Sequence, residues 1–562
     1  MSNEKHTVAI SPPEGYTGPH RSLVLSGGGM RVAYQAGVLR ALQEHDLRFH
    51  HADGTSGGTM NLAMLMSGFS PEAMCDRWRS LDVKKFVSML PFQEYLNLHN
   101  VKAFGDADGI VNHVFPHLGI DLERIRAAKG MEGTFNVCNY STKTNEVIPH
   151  TNATQDLLVA SISLPIFMPS VEHNGDQYID SAWIRDANLM EAVKRGAEEI
   201  WLIWCIGNHG IYKDGIFNQY VHMLEMSANG GLFEEFDRIR EINERIKNGD
   251  SPYGQAEPVK LHVIKPEYPL PLDPDFYFNR VDASTLVNMG YADASKYVAN
   301  MSADGIDFTP AATRMKDPAP GIAFREKMEG WFSLDANNPE EGAQKGQEQG
   351  TTLSLHGSIY IRNLPNFMGS QEHSGTMAGH IEFAPFDDYL PAKTGVFNLF
   401  VEEGQNAPDT KWMIYEMQFD HEGNSYYLAG KKEVRDDPGF DLWEDTTTLK
   451  ATLHKGTDAA GTVVAAGILK LSKKELVNLV KTLHAIDARD AAERFNLLAN
   501  FGAFFLGELW DSYRSVVRQR DEERQEDASW TKYLKLGGVF LAVVVIGCVY
   551  LFTFCKLNII KG

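Results

Sequence analysis

The chain has 562 residues, 43% hydrophobic and 23% charged, and carries 53 Lys and Arg against 74 Asp and Glu for a formal net charge of -21. That length houses two or more domains with cores of their own, and the acidic balance argues against a nucleic-acid partner, which needs basic stripes for phosphate. Five cysteines (Cys75, Cys138, Cys205, Cys548, Cys555) without paired spacing argue against a disulfide framework or a zinc site and point to a reducing compartment.

Residues 1–20 read as a polar segment with Pro12, Pro13 and Pro19 and no apolar run of signal-peptide length, so export by that route is not expected. Residues 21–332 alternate short apolar runs with helical stretches, the pattern of an α/β domain. Leu23-Val24-Leu25 is a buried strand, followed by Gly27-Gly28-Gly29 and a helix from about Val32 to His45. Phe49 to Asp53 serves as a second strand, a poor one by composition because of His50, His51 and Asp53, and Thr59 to Ser67 is a small-residue helix. Trp201 to Ile206 and Leu261 to Ile264 are further buried strands.

Residues 333–352, rich in Asn, Glu, Gln and Gly, read as a linker. In 353–472 the period shifts to two: Ser358 to Ile361, Gly395 to Val401, Trp412 to Phe419 and Tyr426 to Leu428 predict an antiparallel β-rich module. A helical segment, 473–530, sets Leu476, Leu479, Val480 and Leu483 on one face. It continues with Phe495, Leu498, Phe501, Phe504, Phe505, Leu509 and Trp510, a face expected to pack on the β module rather than on a membrane surface. From Leu536 to Cys555 no charge interrupts twenty residues. At 1.5 Å per residue they span about 30 Å, so the run predicts a C-terminal transmembrane helix, with Trp530 and Tyr533 at the interface. The residues before that helix are expected on the cytoplasmic side of the membrane.

Two glycine turns carry the chemistry. Gly54-Thr55-Ser56-Gly57-Gly58 matches G-x-S-x-G between a strand and a helix, the layout of a nucleophile elbow, with Gly54 and Gly58 letting strand and helix approach. Upstream, consecutive glycines at 27–29 let backbone amides point into one concavity, as an oxyanion hole requires. A dinucleotide fingerprint fails because Val32 stands where its last glycine belongs, and a Walker sequence is absent, so no cofactor is expected. His50 and His51, adjacent on a strand, face opposite sides and are poor joint ligands; Asp106 to Gly109 reads as a turn and Asp273 and Asp275 as loop solvation, leaving no metal set.

Gly27-Gly28-Gly29-Met30-Arg31, Gly54-Thr55-Ser56-Gly57-Gly58, Ala160-Ser161-Ile162-Ser163-Leu164-Pro165 and Tyr178-Ile179-Asp180 together resemble patatin-like phospholipases, in the family's order and spacing, over about Arg21 to Ala299. The resemblance implies a three-layer α/β/α domain and a lipid acyl hydrolase that needs no metal. It implies Ser56 as nucleophile, Asp180 as its base without a histidine, and the amides of Gly27, Gly28, Gly29 and Met30 as oxyanion donors. Arg31 supports that loop or faces substrate phosphate. The family usually has glycine after the aspartate; here Ser181 follows, and a hydroxyl bonded to the carboxylate would weaken the base. The partners implied are membrane lipid as substrate and the bilayer through the C-terminal helix. An acyltransferase would use the same acyl-enzyme, and a lipid-binding scaffold would have lost one of these residues.

Overall fold

The computed structural model describes residues 6–82, 88–89, 103, 105–402, 410–435 and 446–523, with side chains of the last helix only to residue 508. It divides into two units, Met1–Pro318 and Ala319–Gly562.

The first unit is built on β1 (Arg21–Leu25), α1 (Ala33–Glu44), β2 (His51–Gly54), α2 (Gly58–Met66), β3 (Glu132–Asn139), β4 (Thr144–Pro149), β5 (Val171–His173), β6 (Asp176–Asp180), β7 (Glu199–Ile203), α3 (Ile216–Lys247), β8 (Lys260–Ile264) and α4 (Ala283–Asn300). The sheet runs β8-β7-β1-β2-β3-β6-β5, with β4 also on β3. Strands β8, β7, β1, β2 and β3 are parallel. On one face Val24, Leu202 and Val263 pack against Leu232, Phe236 and Ile239 of α3. On the other, where alternation turns Trp201 and His262, the Trp201 ring stacks on His262 and meets Tyr297 of α4 edge-on. The result is the expected α/β/α layering.

Strand β2 is polar because its neighbours answer it. His51 Nδ1 lies 3.2 Å from Ser22 Oγ of β1 and its Nε2 2.8 Å from Thr134 Oγ1 of β3. Asp53 accepts from Thr134 Oγ1 and Asn136 Nδ2, both at 2.6 Å. His50 does face the other way, stacked on His20.

One edge of β3 brings the ends of two other strands together. Along Thr134–Asn139 it pairs with β4, so β2 and β6 must share the opposite edge. They approach along it from opposite directions: β2 ends with Gly54 opposite Phe135, and β6 ends with Asp180 opposite Val137. Their carboxyl ends therefore meet with Asn136 between them.

The second unit comprises β9 (Gly321–Leu334), α5 (Pro339–Gln349), β10 (Thr352–Ile361), β11 (Ser374–Phe383), β12 (Asp387–Pro391), β13 (Thr394–Glu402), β14 (Thr410–His421), β15 (Asn424–Arg435), β16 (Thr448–Lys455), β17 (Thr462–Lys470), α6 (Lys473–Thr482), β18 (His484–Ile486) and α7 (Ala491–Glu523). Strands β9, β10, β11, β13, β14, β15, β16 and β17 pair antiparallel in chain order, and β17 returns to β9, closing an up-and-down barrel. Phe332, Leu355, Ile381, Met417 and Leu453 lie in its core.

Residues 333–352 are not a linker. They complete β9 and form α5, capped by Asn338 Oδ1 accepting from the Glu341 amide at 2.9 Å and started by Pro339 at its first turn. The unit boundary falls earlier, at 318/319. The aromatic face of α7 packs on the barrel core through Leu498, Phe501, Phe504 and Phe505, while Phe495 is exposed. The predicted span Leu536 to Cys555 lies outside the described residues; among those described, no helix is long and apolar enough to cross a membrane.

Inside the barrel sits an ion pair 2% exposed on both sides: Lys432 Nζ lies 2.7 Å from Glu326 Oε1, and Tyr415 donates to Glu326 Oε2 at 2.8 Å. Every charge is met, so removing one partner strands the other. Glu326→Ala should destabilise the chain by about 3–5 kcal/mol in urea unfolding, and adding Lys432→Met to it should recover most of that loss.

Candidate active site

The two glycine turns meet at the carboxyl ends of β1 and β2, the edge where open parallel sheets place their ligands. The Thr55 amide donates to Leu25 O at 3.1 Å, and Ser56 follows at φ 51, a left-handed conformation that costs free energy in a non-glycine residue. It sits at the apex between β2 and α2, as a nucleophile elbow requires. The neighbouring glycines are needed for contact rather than freedom. A Cβ on Gly58 would stand 2.3 Å from Leu25 O, and one on Gly27 would stand 2.7 Å from Ser56 Cβ.

Asp180 is buried at the end of β6, its amide held by Ser163 O at 3.0 Å from the Ala160 to Pro165 segment. The carboxylate accepts from the Ala182 amide at 2.8 Å through Oδ1, and Oδ2, also buried, has no completed hydrogen bond. Burial pushes its pKa up to about 7, opposed by the Ser56 hydroxyl and the Ala182 amide. Ser181 does not touch that carboxylate. Its hydroxyl goes to Asn145 Oδ1 and, at 3.2 Å, to Arg185 O.

The expected oxyanion loop needs correcting at two of its four positions. The Gly27 amide donates to Asp186 Oδ2 at 3.1 Å, and the Met30 amide to Asp273 Oδ1 at 3.2 Å, so neither is available to a ligand as the loop stands. Among the described residues the amides of Gly28, Gly29 and Gly57 donate to nothing. Arg31 supports the loop: its Nε donates to Gly28 O at 2.9 Å, and burial raises the pKa of Asp186 and Asp273 although the Arg31 charge offsets part of that rise.

Asp186 and Asp273 are the participants that sequence reading missed. Asp186 lies six residues beyond Asp180 in a segment without periodicity. Burial and the Asp180 charge push its pKa up to about 8. Asp273, expected to be loop solvation, instead opens a short helix, Asp273–Tyr277. Its Pro274 was the available signal, since Pro favours a first helical turn.

Beneath the elbow, Asn136 ties β3 to the turns: its Nδ2 reaches Asp53, and its Oδ1 accepts from Asn188 at 2.8 Å and Asn145 at 3.1 Å. Behind it, Asn61 of α2 donates to Val32 O and Gln35 Oε1, both at 2.9 Å, and accepts from Trp78.

A family model described as Patatin-like phospholipase matches residues 23–193, which include both turns and Asp180. No curated protein matches the chain. Among solved structures, VipD from Legionella pneumophila is similar at 14% identity, covering 51% of this chain and 67% of its own, with a TM-score of 0.30. The type III effector protein ExoU is similar at 13% identity, covering 54% of this chain and 77% of its own, with a TM-score of 0.18.

Burial pushes the pKa of Asp53 up to about 8, against the stabilising bonds from Thr134 and Asn136. An unfolded chain releases that proton from about pH 4 upward, whereas the folded chain keeps it until about pH 8. Stability tied to this group is therefore whole below about pH 4 and is lost as pH rises through that window. Asp53→Asn should flatten the fall in unfolding free energy between pH 5 and 8 by up to about 1.4 kcal/mol per pH unit, read by urea titration at several pH values.

Proposed function

We propose that the chain is a lipid acyl hydrolase of the phospholipase A or lysophospholipase kind, working through a Ser56–Asp180 dyad and an acyl-enzyme. The observation that carries this reading is the meeting of β2 and β6 along one edge of β3. That meeting, together with the lowering that the Ser56 hydroxyl exerts on the raised pKa of the buried Asp180 carboxylate, supports pairing the strained serine with this aspartate. The patatin-like match over residues 23–193 supports the same reading.

A serine hydroxyl attacks an ester carbonyl only as a base removes its proton. Asp180 Oδ2 has no competing bond, and a pKa near 7 makes it a far better base than an exposed carboxylate while leaving it largely ionised above neutrality. Charge developing on the carbonyl oxygen meets the unengaged amides of Gly28, Gly29 and Gly57; one such donor is typically worth about 3 kcal/mol in the transition state. Protonated Asp180 returns its proton to the leaving alcohol. Water, deprotonated by the same carboxylate, then attacks the acyl carbon, and Asp180 passes that proton to Ser56 Oγ as the acid leaves. The apolar run Leu536 to Cys555 would tether the enzyme beside its bilayer substrate, raising the effective concentration of lipid.

Ser56→Ala and Asp180→Asn should each lower turnover of a soluble ester by a factor on the order of 10⁴ or more with circular dichroism unchanged. Near-normal turnover in Asp180→Asn would overturn the dyad. Because the base must be ionised, kcat/KM for wild type should rise with pH along a single-proton limb centred near 7 and level off above it. A flat profile from pH 5 to 9 would count against Asp180 as base.

A further inference from the structure

The outer face of the barrel carries a second group of chemistry-bearing side chains, unrelated to the dyad. His356 of β10 and His380 of β11 are directly paired across adjacent antiparallel strands. Glu382 lies two residues beyond His380, and the period of two puts it on the same face. His380 is buried, and His356 and Glu382 are half-buried. Glu382 Oε1 lies 3.3 Å from His356 Nε2 and 3.8 Å from His380 Nε2, and the three ligand atoms all fall within 4.8 Å of one another.

We propose that His356, His380 and Glu382 form a binding site for a divalent transition ion of the zinc class. Metal–ligand bonds of about 2.0–2.2 Å in a tetrahedron set the ligand atoms about 3.4 Å apart, close to the separations here. Two imidazoles with one carboxylate suit zinc and its neighbours; calcium and magnesium take oxygen ligands. The buried His356 Nε2 atom faces Glu382 Oε1, and both imidazoles act on that carboxylate to hold its pKa below the usual range. Lys327 Nζ stands 3.9 Å from the other oxygen, Oε2, which leaves Oε1 for the ion and helps to orient the carboxylate.

The two imidazole rings lie stacked, 14° from parallel with centroids 4.4 Å apart. Parallel rings cannot aim both lone pairs at one point, so loading turns the more exposed ring, His356. The ion clips β10 to β11 from outside, and three protein ligands leave its fourth position open to water or an incoming ligand.

The test is uptake of zinc(II) and cobalt(II) by the full chain after chelator stripping and desalting, with a competing chromophoric chelator setting the affinity. Wild type should take up one tight equivalent. It should also give the visible absorption of low-coordinate cobalt and unfold at higher temperature when loaded. His356→Ala and the nearly isosteric Glu382→Gln should each weaken binding at least tenfold and lose the thermal gain, whereas Ser56→Ala should bind as wild type does. The proposal is overturned if wild type takes up no tight equivalent, or if folded Glu382→Gln binds like wild type.

Discussion

Two glycine turns press together at the ends of neighbouring parallel strands, and a set of buried side chains around them depends on that contact. Gly58 lies against the Leu25 carbonyl and Gly27 against Ser56, so no larger residue fits at either place. Such backbone has few side chains of its own to hold it, and the fold supplies them from outside. Asp186 fixes one end of the upstream turn and Asp273 the other, with Arg31 closing it from within. The same buried carboxylates carry raised pKa values because the site that needs them is dry. The held loop and the raised carboxylates thus share one cause, burial at the edge of the sheet.

Much of this was legible in the chain. The turns, the elbow serine, Asp180 and the layered domain rest on local signals: glycine clusters, a strand, a helix and their order. The partners of the turns were not, because Asp186 and Asp273 act across gaps of more than 150 residues and neither stands in a patterned segment. The polar strand β2 read poorly for a related reason. Its His51 and Asp53 are satisfied by Ser22, Thr134 and Asn136, which only the finished sheet brings alongside.

The misread linker teaches the opposite lesson. Helix α5 presents to the barrel not apolar side chains but Gly342 and Gly346, four residues apart on one face. A Cβ on the first would stand 1.9 Å from Ala466 O and one on the second 2.5 Å from the Phe332 amide nitrogen. The helix lies so close to the strands that hydrophobic periodicity has nothing to register, and only its Asn-Pro-Glu-Glu start marks it.

Closure of the barrel also governs the order in which it can be made. Its seam joins β17 to β9, pairing Lys470 with Glu329 and Ala465 with Leu334 across well over a hundred residues, and β18 then pairs with the start of β9. A ribosome delivers the chain from its N-terminus, so β9 through β16 emerge as a widening curved sheet with two raw edges and an apolar concave face. That sheet stays open to pairing with another nascent chain until residues 462–470 arrive. Contacts of such long sequence separation close slowly, because the loop entropy must be met before the seam can repay it. Chains that stop before Thr462 would keep that gap, with both edges left unpaired.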